Sequence, residues 1–180
     1  PPIQYISKLM LDPQVKIERF ENYQKQSYRN RCYIYGANGM QCLSIPVKKI
    51  HGEKTIITDV MIDYTCNWQK IHLKSMESAY RLSPFYEYYA DELLDIYREK
   101  VPSLFEWNLR LLESLLALMN MDAKPEVTSG WEPLSEENGD YRQSIHPKKR
   151  LNKSDTLFNP IPYQQVFIDR FGFIPNLSIV

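Results

Sequence analysis

Glycine is scarce in this chain of 180 residues: there are 6, and none falls in a phosphate-cradling loop or a G-x-G-x-x-G turn. A backbone cradle for a nucleotide is therefore not expected, and neither is a cofactor held by one. H-E-x-x-H and G-x-S-x-G are absent as well, which removes the common zinc-protease and serine-hydrolase signatures. Cysteine numbers 3 (Cys32, Cys42 and Cys66) with no C-x-x-C spacing, and His numbers 3. That inventory argues for free thiols and against a metal site, although a disulfide between Cys32 and Cys42 across a hairpin stays open. Net charge is absent too: Lys+Arg and Asp+Glu are both 22, so the whole chain favours neither nucleic acid nor an anionic membrane. No apolar run reaches the length of a membrane span and no signal peptide opens the sequence, so the expected location is cytoplasmic.

Aromatic residues, in contrast, are plentiful at 13%, with 13 tyrosines. Tyrosine joins an apolar ring to a polar tip and serves interfaces and polar pockets as well as cores. With 43% hydrophobic and 24% charged residues, the chain has the composition and length of one globular domain. Residues 3–11 carry a short helical pattern and residues 15–20 alternate like a half-buried strand. Residues 31–35 and 41–47 are strand-like and flank "GANG", where Asn38-Gly39 predicts a tight type I′ hairpin turn. Residues 56–64 form another strand pattern, reached through the polar loop "KKIHGEKT". The period then becomes helical. Asn67 caps residues 68–82, Ser83 with Pro84 opens a second helix, and Ser103-Leu104-Phe105-Glu106 is a capping box opening a leucine-rich third. Residues 122–160 are irregular, and residues 163–171 suit a short helix closed by Gly172. The first residues begin in mid-motif without Met and "PNLSIV" stops as an apolar element begins, so the sequence reads as a piece of a slightly longer protein.

The expected fold is α/β, a single domain. A mixed sheet in the N-terminal part, from a βαβ start and a β-hairpin, is packed by C-terminal helices. An α+β arrangement with an antiparallel meander is the alternative.

Three clusters could carry chemistry. In "ENYQKQSYRNR", Asn22, Gln24, Lys25, Tyr28, Asn30 and Arg31 combine amides that read hydroxyls with a guanidinium fork suited to an anion. A solvated surface loop fits the same residues. On the predicted helix over residues 68–82, Trp68, His72 and Tyr80 share an aromatic neighbourhood. There His72 is either a general base or a core-edge histidine bonded to backbone, while Lys70 and Lys74 lie on the outer face. The third cluster, "HPKKR" at 146–150, reads as a solvated loop.

The blocks "PIQYISKL", "ENYQKQSYRNRCYIYGANGMQCLSIPV", "NWQKIHLKSMESAYRLSPFYEYYADEL" and "YQQVFIDRFGFIPNLSI" resemble, in that order, the WbqC-like family, and more closely its short Bacteroidetes-type branch. The resemblance covers nearly the whole chain outside residues 122–160. Longer members open with a QPxYLPWxGYF-like motif, whereas here Ile3-Gln4-Tyr5 stands without a Trp. Matched polar positions are Gln4, Tyr5, Gln24, Lys25, Asn30, Arg31, Asn38, Trp68, His72 and Tyr163. The resemblance implies a bacterial cytoplasmic transferase in cell-surface (O-antigen-like) polysaccharide biosynthesis, with aminoacyl (glycyl) transfer to a sugar precursor as its suggested chemistry. A small anionic or sugar-containing substrate would then meet Arg31 and Lys25 with its anion, Asn30 and Gln24 with its hydroxyls, and His72 as base. The rival classes are a non-catalytic carbohydrate- or protein-binding module and a nucleic-acid binder, the latter disfavoured by the zero net charge. Oligomeric state is not set by the sequence.

Overall fold

The computed structural model describes residues 1–12, 14–49, 54–134, 139–149, 151, 155 and 157–179. Residues 50–53 of the 48–55 loop, Arg150 of the basic run, and residues 135–138, 152–154 and 156 of the 122–160 stretch lie outside the described residues.

Element order follows local sequence signals closely. Helix α1 (Ile3–Leu11) has Ile6 and Leu9 on one face and ends at extended Asp12. Strand β1 (Lys16–Ile17) is two residues long. Strands β2 (Arg31–Gly36) and β3 (Gly39–Ser44) form an antiparallel hairpin with Arg31 opposite Ser44 and Gly36 opposite Gly39. The turn residues are thus Ala37 and Asn38, one position earlier than a type I′ turn at Asn38-Gly39 requires. Gly39 alone carries a positive φ, +99°, the position a side chain would strain. The register sets Cys32 opposite Leu43 and Cys42 opposite Tyr33, so strand alternation points the two sulfurs to opposite faces. Both cysteines, like Cys66, are free.

Three helices cover the hairpin. Helix α2 (Trp68–Tyr80) is capped by the Asn67 side chain, which accepts from the Lys70 N–H at 3.4 Å. Helix α3 (Tyr86–Arg98) starts later than Ser83 predicts, because Phe85 takes φ +68° and breaks the first turn. Helix α4 (Leu104–Leu118) is capped by Ser103, whose hydroxyl accepts from the Glu106 N–H. Residues 56–64 are not a continuous strand. Ile57–Asp59 form a 3-10 turn, and single bridges then tie Ile62 to Val47 and Met61 to Ser103. Ile57, Val60 and Ile62 are nonetheless buried, so the segment does a strand's packing without a ladder.

Strand β4 (Glu126–Val127) pairs in parallel with β1, Lys16 opposite Glu126 and Ile17 opposite Val127. Parallel pairing is therefore present, but the partner of β1 comes from the stretch predicted to be irregular and not from a strand ahead of α1. Helix α5 (Ile168–Phe171) is shorter than predicted and closes at Gly172, φ +79°. The fold is mixed α/β, and α4 belongs to both of its apolar clusters. Leu104, Trp107, Leu111 and Leu115 pack under the hairpin, while Leu112 and Leu116 meet Ile6 and Leu9 of α1. The last described residues lie against the first: Ile3 N donates to Leu177 O at 3.0 Å, and Ser178 N to Tyr33 O at 2.8 Å.

Candidate functional site

With Ile6 and Leu9 committed to α4, an adjacent row of α1, namely Tyr5, Lys8 and Asp12, is left to line a cleft. Its other walls are drawn from residues 14–29, the α4 residues Asn108 and Leu112, and residues 128–133 and 139–145. Its volume is about 570 Å³, within the range of small-molecule sites.

Charge in this cleft is held in knots. The β1–β4 pair brings Glu18 beside Thr128. The Glu18 carboxylate accepts from Phe20 N at 2.7 Å, from the Thr128 hydroxyl at 2.9 Å and from Glu132 N at 3.1 Å, and faces Arg142 at 3.5 Å. Burial alone would raise its pKa. The backbone donors, the Thr128 hydroxyl and the guanidinium outweigh that and hold it below the usual carboxylate range. Arg142 also donates to Asp140 at 2.9 Å and to the carbonyls of Glu132 and Pro133 at 2.8 Å. Arg29 clasps Glu21 with Nε and Nη2, the Nε bond being 2.6 Å, and Asn108 Nδ2 fixes the Arg29 carbonyl at 2.7 Å. Lys8, only 2% exposed, donates to Asp155 at 2.8 Å and stands 4.8 Å over the Tyr141 ring. Gln4 completes that knot by donating to Asp155 at 2.9 Å and accepting from Asn176 at 3.2 Å.

Three tyrosine hydroxyls remain, those of Tyr5, Tyr28 and Tyr141. None makes a side-chain hydrogen bond among the described residues. Burial, then the Glu21 charge, pushes Tyr5 up to about 12 against the opposing pull of Arg29. Burial with Tyr33 nearby pushes Tyr28 up to about 12 as well. Both stay protonated at neutral pH and can donate to a ligand. Acids outnumber bases along the walls, so the cleft suits hydroxyls and ammonium groups better than a polyanion.

The structure thus brings together Tyr5 and Tyr28 of the residues singled out in the sequence, with Gln4 behind them, and separates the rest. Lys25 is exposed, Gln24 uses its carbonyl to accept from Ser27 at 2.6 Å, and Asn22 bridges to Ile56. Asn30 latches the hairpin, donating to Ile45 O at 3.1 Å, and Asn38 sits exposed at its tip. Arg31 starts β2, and the cleft's guanidiniums are Arg29 and Arg142 instead. Tyr163 packs edge-on against Phe173 and, with Tyr80, borders a second, apolar cleft. Lys70 and Lys74 are exposed on α2. Trp68 and His72 lie in an aromatic cluster with Tyr97 and Trp107, ring centroids 5.1 to 6.0 Å apart. His72, 3% exposed, bonds through Nε2 to Ser44 O at 3.1 Å, and burial pulls its pKa down to about 4, only partly opposed by that bond. Neither cleft is lined by His72, Trp68 or Arg31, so these three do not share a pocket with Tyr5.

Residue patterns gave no sign of Lys8, Glu18, Glu21, Arg29, Asp140 or Arg142. Each looks like an ordinary surface charge until its partner, sometimes more than a hundred residues away, is known. The basic run folds back onto the amide-rich stretch it was read apart from: Lys148 donates to Gln26 at 2.6 Å, and the positive charge of Arg29 lowers the pKa of His146, after burial. Among the described residues no cluster of His, Cys, Asp or Glu could hold a metal ion, and no helix is long and apolar enough to cross a membrane.

The sequence profile of the WbqC-like protein family matches residues 1–157. The chain belongs to that family. A relative, uncharacterized protein Rv1507c of Mycobacterium tuberculosis (strain ATCC 25618 / H37Rv), is 28% identical over 111 residues, which is 61% of this chain and 47% of that protein. The matched region thus spans about half the length of that relative. No solved structure matches the chain significantly.

Proposed function

We propose that this WbqC-like chain is a transferase acting on a sugar-containing precursor of cell-surface polysaccharide, and that its substrate lies in the cleft between α1, α4 and residues 128–133 and 139–145. The reaction class comes from the family resemblance. The observation that carries the site is the set of unbonded tyrosine hydroxyls, Tyr5, Tyr28 and Tyr141, set among ion pairs in a cleft of about 570 Å³. Salt-bridged walls keep their shape, and fixed walls with three free donors suit a polyhydroxylated ring. Excess acid suits the ammonium of an aminoacyl group, in keeping with glycyl transfer. An acceptor hydroxyl or amine must lose a proton as it attacks. Asp12 is assigned this role from its place in line with Tyr5 and Lys8: its carboxylate bonds only Gln14 N, through Oδ1, while Glu21 is clasped by Arg29. Glu132, the other cleft carboxylate without a side-chain partner among the described residues, is the alternative. The reading assigns His72 to packing.

The test is calorimetric titration with a panel of free sugars and nucleotide sugars. Tyr5→Phe and Tyr28→Phe should each weaken binding of a hit by about 0.5–1.5 kcal/mol without lowering the melting temperature. Asp12→Asn should spare binding and abolish transfer from an activated glycyl donor. Absence of any sugar binding, or binding indifferent to both tyrosines, would overturn the site.

A second reading, a non-catalytic carbohydrate-binding module, is favoured by one observation: the cleft's arginines and Lys8 are already matched by acids. Sugar bound but left unaltered, with Asp12→Asn without effect, would select it.

A further inference from the structure

The second cleft, about 630 Å³, opens between α2–α3 and residues 163–179, and no charged side chain lines it. Leu73, Met76, Tyr80, Leu93 and Val166 are among its walls. Apolar side chains stand out into solvent at and beside its rim: Leu82 is 96% exposed, Phe85 75% and Tyr88 73%. Phe85 is held at φ +68°, a left-handed backbone that a bulky residue enters only at a cost. A strained backbone that projects a phenyl ring into water serves nothing within one copy of the chain.

We propose that this face receives a second copy of the same chain about a two-fold axis, with Leu82 and Phe85 of each copy seated in the apolar cleft of the other. Three features favour a second copy over another occupant. Knob and hole adjoin on one surface, which is the self-complementary arrangement a two-fold interface needs. The helices that form the cleft carry opposite net charge on their exposed sides: Lys70, Lys74 and Glu77 on α2 with Arg81 just past its end, against Glu87, Asp91, Glu92 and the Arg98-paired Asp95 on α3. A two-fold axis along their seam sets each basic row on the partner's acidic row. Finally, burying the exposed rings and Leu82 supplies on the order of half of the roughly 800 Å² per partner that a stable interface uses, before the cleft walls are counted.

Sedimentation velocity and light scattering over a concentration series test this. The wild-type chain should reach twice its 21.4 kDa mass in the micromolar range. Phe85→Asp and Leu82→Asp should each leave a monomer with an unchanged circular dichroism spectrum, since both side chains are exposed. Arg81→Glu should weaken association at least tenfold, and adding Glu87→Arg should restore it. A monomer at all concentrations would overturn the proposal, as would a dimer indifferent to Phe85→Asp or a charge reversal without rescue. So would a monomer that binds the apolar dye anilinonaphthalene sulfonate in this cleft, which assigns the space to a small apolar ligand.

Discussion

The aromatic cluster under the hairpin and the ion-paired cleft beside α1 share α4, yet they treat buried polarity in opposite ways. In the first, Trp68, His72, Tyr97 and Trp107 are closely packed, and His72 Nδ1 and both indole N–H groups find no hydrogen-bond partner. In the second, Glu18, Arg29, Arg142 and Lys8 are each satisfied by designated partners, and the groups left for a ligand, tyrosine hydroxyls among them, stand at the surface of a cavity. The lesson is that an imidazole beside tryptophans can be packing material. Side chains that look like scattered surface charge can form the walls of a site.

The largest test strikes the cleft. Lys8 and Asp155 are 2% and 3% exposed, so Lys8→Ala leaves an uncompensated buried carboxylate and should cost about 3–5 kcal/mol in urea unfolding. Replacing both partners, Lys8→Met with Asp155→Leu, should recover much of that loss. If Lys8→Ala is mild, the cleft is wetter than its geometry says and the contrast with the aromatic cluster weakens.

Next is the cluster. His72 has a folded pKa of about 4, below its value in an unfolded chain, so the unfolded state takes up the proton first as pH falls. Its contribution is present in full above about pH 6.5 and is lost between there and about 4, a change of roughly 3 kcal/mol. His72→Gln keeps a donor for Ser44 O and should flatten the stability profile across that window. A profile that stays steep would move the titration to another group and return His72 to candidacy as an accessible base.

The smallest effects sharpen the hairpin that roofs the cluster. Gly39→Ala should cost about 1 kcal/mol for its positive φ alone, since an added Cβ meets nothing within 4 Å. Asn38→Ala should stay within about 0.5 kcal/mol. Equal effects would favour a turn centred on both residues.

Legibility in the sequence follows how far information has to travel. The hairpin, the Asn67 cap and the Ser103 cap are each decided within a few residues and could be read, although Glu106 turns to Arg110 and does not complete a capping box. Family membership was legible in the same way, from ordered blocks. The two-residue β4 was not, because nothing local distinguishes Glu126–Val127 from loop until β1 lies beside it. Choosing Arg31 over Arg29 had the same cause: both sit in one polar stretch, and only the folded chain sets Glu21 against the second. Tyr5 and Tyr28 entered through family resemblance and residue chemistry, and no pattern tied them to Arg142.

The Lys8–Asp155 contact joins groups 147 positions apart in the chain. Closing so long a loop costs little more entropy than closing one half its length, but such contacts slow the search for the native state. On the ribosome, the hairpin and α2–α4 can settle as they emerge, because their partners lie nearer in sequence. Lys8 meanwhile waits without its counter-ion until the last quarter of the chain has been made. That knot cannot close before residue 155 has been made, and the apolar cleft, which needs residues 163–179, closes later still.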